Sequence, residues 1–207
     1  MVGVEPAMRT FLLFCVAMPR ICWCLLAQTA ALDCRNSDAP SCEVREVTIS
    51  AIPQLKIDSG RNGAISVRGE DRPDILILAR IETSSKCAGV ELQITDGVIS
   101  AGPQASVWRV TYEILVPRKT DIQLKANNGG LAVDGITGSV LGDTVNGGLA
   151  VSLRQGARPH EIRLSTRNGG VAVAAPASLK LEKSGHSVTG ENISISTLNG
   201  GVVVSGR

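Results

Sequence analysis

From residue 119 onward the chain alternates apolar and polar residues in short runs that break at Asn-Gly-Gly and resume in shifted phase. The copies read IQLKANNGGLAV from Ile122, VLGDTVNGGLAV from Val140, IRLSTRNGGVAV from Ile162 and ISISTLNGGVVV from Ile193. Each run before the break has period two, which predicts a strand with one buried face. Ile162 and Leu164 are even-numbered whereas Val171 and Val173 are odd, so the tripeptide must turn or bulge the chain to return apolar side chains to one face. Asn and Gly tolerate positive φ, and the expected corner uses that freedom.

The corners so predicted are Asn128-Gly129-Gly130, Asn146-Gly147-Gly148, Asn168-Gly169-Gly170 and Asn199-Gly200-Gly201, with a fainter one at Asn62-Gly63. The steps between the four full copies are 18, 22 and 31 residues. Inside the longest, Leu179, Leu181, Gly185 and Val188 keep the offsets of Ile162, Leu164, Asn168 and Val171. A decayed copy is therefore expected there, with Gly185-His186-Ser187 as its corner. Two architectures satisfy the arithmetic. In one, each Asn-Gly tips a type I′ hairpin; in the other, each is the corner of a parallel β-solenoid whose rungs stack about 4.8 Å apart. The near-identical context of the copies favours the solenoid, because stacking places like positions on like.

Residues 44–118 carry less regular strand signals, among them VREVTIS, QLKIDS, AISVRG, DILILARIET, VELQITDG and SVWRVTYEILVP. Their alternation of apolar with charged residues suggests antiparallel strands with one wet face. No convincing helix follows residue 31. The fold class expected is thus all-β: a parallel β-solenoid over 119–207 with irregular antiparallel strands over 44–118, forming one domain from 44 to 207.

Upstream, residues 11–32 are almost wholly apolar, preceded by Arg9 and ending in small residues near Ala31. This suits a secretory signal over 1–31. An uncleaved anchor is the alternative, disfavoured by Pro19-Arg20 inside the run. Residues 32–43 form a polar segment in which Cys34 and Cys42 are spaced for a disulfide in an oxidising compartment, a metal pair being the alternative. Cys87 then remains as a free or buried thiol. The expected location is outside the cytoplasm: periplasm, envelope or extracellular space.

Composition narrows the function. A net charge of +2 over 207 residues leaves no basic footprint for nucleic acid. Only Trp108 and Tyr112 are aromatic beyond residue 23, which excludes stacking platforms. The core must be aliphatic.

The run YEILVPRKTDIQLKANNGGLAVDGITGSVLGDTVNGGLAV, with CEVREVTIS and GRNGAISVRGEDRPDILILARI, resembles the bacterial putative-adhesin family of domain-of-unknown-function proteins with β-strand repeats. The resemblance covers roughly residues 42–207. It implies an exported, all-β, solenoid-like protein and brings no active site with it. The stretch from Arg154 to Asn192 departs from the pattern.

Candidate chemistry is sparse. GHSVT at Gly185–Thr189 lacks the second Gly of a nucleophile elbow and has no helix after it. His160 follows a proline in a polar loop. Asn128–Asp134 lacks the third Gly of calcium-binding roll repeats. Asp121, Asp134, Asp143, Lys125, Arg163 and Arg167 are scattered as on a solvated face, whereas a polysaccharide lyase would cluster them. The corner asparagines are expected to bond along the stack or to the corner backbone. No catalytic residue, metal ligand or cofactor is expected.

One pattern is left over. Ala132, Ala150, Ala172 and Val203 alternate with core positions after each corner and form a small apolar strip, either covered by the N-terminal strands or left as a contact surface. The expected protein is a non-enzymatic envelope or surface binding module with an unidentified partner. A carbohydrate-active enzyme on the same scaffold is the alternative. No nucleic acid is expected, membrane contact only through an uncleaved N-terminus, and self-association at the C-terminal edge.

Overall fold

The computed structural model describes residues 32–84, 90–102, 107–154, 161–176 and 180–206. The expected signal over 1–31, Cys87, His160 and Leu179 lie outside the described residues. Seventeen strands, and no helix, form the described fold: β1 (Ser41–Ser50), β2 (Gln54–Asp58), β3 (Ile65–Glu70), β4 (Asp74–Thr83), β5 (Glu91–Thr95), β6 (Val98–Gly102), β7 (Val107–Pro117), β8 (Asp121–Asn128), β9 (Leu131–Asp134), β10 (Val140–Asn146), β11 (Leu149–Ser152), β12 (Ile162–Asn168), β13 (Val171–Ala175), β14 (Leu181–Ser184), β15 (Ser187–Gly190), β16 (Ile193–Asn199) and β17 (Val202–Gly206). They make two sheets. The front sheet has the order β1-β4-β7-β3-β9-β11-β13-β17, and the back sheet β14-β15-β16-β12-β10-β8-β2-β6-β5.

The strands flanking each Asn-Gly-Gly lie in different sheets, β8 in the back and β9 in the front, for example. The tripeptide is therefore an arch between sheets, which excludes the hairpin reading. It also explains the phase slip: Ile122, Leu124 and Ala126 face the core from one sheet, and Leu131 and Val133 face it from the other. Like positions pair in register. Ile122, Val140, Ile162 and Ile193 are Cα partners in the back sheet, as are Leu131, Leu149, Val171 and Val202 in the front. The inner faces share one core of Ile, Leu, Val and Ala, with Tyr112 its one ring among the described residues.

Three expectations need correction. The upstream region is not wholly antiparallel. β2 and β3 pair parallel with β8 and β9, and β6 and β7 pair parallel with β2 and β3 in turn, while β1, β4 and β5 are antiparallel. Both sheets are thus mixed. Next, the stretch around Gly185 is no decayed rung. β14, β15 and β16 pair antiparallel within the back sheet, so Gly185-His186 tips a hairpin that never crosses to the front. With a step of only 14 residues from Gly185 to Asn199, the chain reverses locally where a crossing would need two more strands.

The third correction concerns the corners. Of all their residues, only Gly63 has a left-handed φ, at 136°. The glycines are required by proximity instead: a Cβ on Gly129, Gly147, Gly169 or Gly200 would overlap the carbonyl oxygen of Gly63, Gly129, Gly147 or Gly169 respectively. The first glycine of each corner lets one rung sit against the next. The second is looser; a Cβ on Gly148 would meet Gly170 O at 3.5 Å, an ordinary contact.

Candidate functional site

The corner asparagines stack into a side-chain ladder. Asn128 donates from Nδ2 to Asn62 Oδ1 at 3.0 Å, Asn146 to Asn128 at 2.8 Å, Asn168 to Asn146 at 2.8 Å and Asn199 to Asn168 at 2.7 Å. Beneath it runs a second ladder that the pattern did not reveal. The buried hydroxyls of Thr144, Thr166 and Thr197 donate to Gly129 O, Gly147 O and Gly169 O, at 2.9, 2.9 and 2.8 Å. Each Thr stands two residues before its Asn, a spacing visible in three of the four copies. These groups are consumed in holding the arches together and leave little for a ligand.

The strip on the front sheet is the feature that faces outward. Ala132, Ala150, Ala172 and Val203 are neighbours in register, and Ser66 and Glu113 continue the row on β3 and β7. Ala150 and Ala172 are exposed, Ala132 is half-buried and Val203 is 64% exposed. Of the N-terminal strands, β1, β4, β7 and β3 extend the same sheet sideways and β2, β5 and β6 lie in the back sheet, so none of them covers the strip. With small side chains turned outward along β9, β11 and β13, the face is dished. A groove of about 310 Å³ runs over Ser66, Ala132, Ala150, Ala172 and Val203. A second of about 360 Å³ shares Ser66, Ala132 and Ala150 with it and reaches Thr111 and Glu113.

The groove has charged margins. Arg68 and Asp134 are paired neighbours on β3 and β9. Burial pushes the Glu113 carboxyl above the usual range, and the Arg68 charge opposes that shift. The outer face of the back sheet differs: Lys125, Asp143 and Ser165 are cross-strand neighbours there, and Ser165 donates its hydroxyl proton to the Asp143 carboxylate. Asp134 and Asp143, both considered for carboxylate chemistry, therefore sit on opposite faces of the molecule. Asp121 accepts from Ser139 N at 2.7 Å, and Arg163 pairs with Glu161 at 2.7 Å. Among the described residues no cluster of three or more His, Cys, Asp or Glu could hold a metal ion.

Sequence reasoning also missed a buried ion cluster at the opposite end of the front sheet. Glu82 is 2% exposed and lies 3.6 Å from Arg80 and 3.3 Å from Arg109. Arg80 Nη1 in turn donates to Asp33 O at 3.3 Å. Asp33 belongs to the polar segment, which a Cys34–Cys42 disulfide ties to the start of β1.

No family model matches the chain, and neither does any curated protein. Solved structures do. A putative cell adhesion protein from Clostridium sporogenes has a TM-score of 0.53 at 11% identity, over 80% of this chain and all of that one. A putative adhesin from Parabacteroides distasonis gives 0.40 at 14% identity, over 66% of this chain and 58% of that one. A putative lipid binding protein from the same species gives 0.28 at 9% identity, over 80% and 95%. The first similarity is one of fold.

Proposed function

We propose that this chain is an exported, non-enzymatic β-repeat protein of the adhesin type. Its arches stack as a parallel β-solenoid, and it acts at the cell envelope or surface through the outer face of the front sheet. The observation that carries the reading is the in-register outward row Ala132, Ala150, Ala172 and Val203, half-buried at Ala132 and exposed at the other three, while the same strands bury alternate residues. Such a face suits shape-matched contact with an apolar or mixed surface. Support for a role other than catalysis is that Asp134 and Asp143 lie on opposite faces. The structural likeness to the Clostridium protein, described as a putative cell adhesion protein, agrees with the surface role, and the disulfide agrees with an oxidising compartment.

Fractionation of cells carrying an epitope-tagged copy tests the location: the tag belongs with the envelope or the medium, and recovery in the cytosol would refute export. Co-sedimentation with envelope fragments from the same cells tests the face. The wild-type protein should pellet, and the double variant Ala150→Glu, Ala172→Glu should stay in the supernatant while melting as the wild type does. Equal pelleting of the two proteins would remove this face as the contact surface.

A further inference from the structure

A different part of the molecule presents a second docking feature, the outer edge of β17. The two sheets end in four edge strands: β1 and β17 in front, β14 and β5 behind. Edges recruit other strands unless guarded, and charge is the usual guard. β1 carries Glu43, Arg45 and Glu46, β5 carries Glu91, and β14 carries Glu182. β17 reads VVVSG and has no charge at all. Val203 and Val204 are 64% and 37% exposed on it.

The hydrogen bonds show what this edge can accept. Val171 N donates to Gly201 O, so the backbone of residues 201, 203 and 205 is turned toward β13. Val202 and Val204 then point their N–H and C=O groups away from β13, where no described strand pairs with them. In the rungs below, the same positions are filled by the next rung. Gly169 N, for example, donates to Asn199 O, and Asn168 Oδ1 accepts from Asn199 Nδ2. At β17 the matching groups are Gly200 N, Val202 N and Asn199 Oδ1. The edge thus repeats the surface on which β9, β11, β13 and β17 itself each dock.

Among the described strands, the next rung position is filled in the back sheet and unpaired in front. In the back sheet β15 already pairs with β16, and His186 Nδ1 lies 2.7 Å from Gly200 O, the carbonyl that a next-rung Thr would engage. A second two-sheet stack would run into this hairpin, whereas a single strand along the front edge would not.

We propose that the outer edge of β17 is a docking site for one extended, uncharged segment of a partner chain that carries the Asn-Gly-Gly-aliphatic pattern and adds parallel to β17. The mode is strand addition, in which main-chain bonds supply affinity and alternate side chains supply choice. The partner's Asn amide would cap Asn199 Oδ1, and its aliphatic residues would extend the core row of Val202 and the outer row of Val203.

The test uses a fluorescent peptide, Asn-Gly-Gly-Val-Ala-Val-Ala-Ala, which copies residues 168–175, and fluorescence anisotropy. Saturable binding is expected. Val204→Pro deletes an outward N–H while sparing the bonds to β13, and should weaken binding at least tenfold at unchanged melting. The same peptide N-methylated at its fifth residue, whose N–H would face β17, should bind at least tenfold more weakly to the wild-type protein and needs no change in the fold. Absence of saturable binding would overturn the proposal, as would indifference to both modifications. Sedimentation showing a wild-type dimer that Val204→Pro dissolves would also overturn it, assigning the edge to a second copy. The Ala150→Glu, Ala172→Glu variant should bind the peptide normally, which separates this proposal from that of the front face.

Discussion

Gly147 and Gly148 are adjacent and equally conspicuous in the sequence, yet they do different work. A Cβ on Gly147 would occupy the place of Gly129 O, and that carbonyl is fixed by Thr144 Oγ1 at 2.9 Å. A Cβ on Gly148 would find 3.5 Å of room. Gly147→Ala should therefore cost about 3 kcal/mol or more, since a backbone atom has to move in a close-packed stack. Gly148→Ala should change stability by about 1 kcal/mol or less. Chemical denaturation of the two variants checks this, and equal losses would mean that the close approach of Gly129 O is not what requires a glycine at 147. The repeat showed which residues make the corners, but a spacing cannot distinguish a residue that bends the chain from one that lets another chain segment approach. Only the neighbouring rung, 18 to 31 residues away for Gly147, Gly169 and Gly200, reveals that.

At the scale of elements, alternation identified most strands and their buried faces. β8, β12 and β16 bury the rows that period two assigns them, whereas β10 buries Val140, Gly142 and Thr144 and leaves Leu141 and Val145 half-buried. What alternation cannot encode is the direction in which the stack grows. β6 and β7 follow β2 and β3 in sequence but stack on their far side from β8 and β9, so the chain builds one end first and then returns past β2 and β3. The β14–β15 hairpin was misread for a related reason: Leu181, Gly185 and Val188 keep the offsets of a rung, and strand period is the same in a hairpin as in an arch. Its function in the fold lies in one contact, His186 Nδ1 to Gly200 O at 2.7 Å, which takes the place that Thr144, Thr166 and Thr197 take at lower corners. His186→Ala leaves that carbonyl to water and should cost about 0.5–1.5 kcal/mol. The loss should be local: amide exchange should quicken in β15 and around Gly200 while β8 to β11 keep their protection. Uniform acceleration across all rungs would mean that the hairpin supports the whole stack.

The molecule as a whole has unlike faces and unlike ends. Its candidate contact strip was legible as leftover apolar residues, because small side chains opposite core positions cannot be explained by burial on one side alone. Whether anything covered them was not legible, since that depends on where β1, β4 and β7 run. The buried Glu82 was invisible for the same reason: in DILILARIET it reads as one more wet-face residue, and only the fold sets Arg80 and Arg109 against it and links Arg80 to Asp33 O of the disulfide-tied segment. The disulfide constrains eight steps of chain, for which loop closure alone predicts about 2–3 kcal/mol. Reduction should lower the unfolding free energy by that amount, and a Cys34→Ser, Cys42→Ser variant should match the reduced protein and ignore reductant. Because Arg80 reaches both Glu82 and Asp33 O, releasing the segment also admits water to a carboxylate that the folded protein holds at 2% exposure. Hydration relieves the desolvation cost of that charge, so the net loss should not exceed the loop-closure value. A markedly larger loss, measured by denaturation with and without reductant, would show that the segment contributes packing of its own rather than acting as a tethered cover.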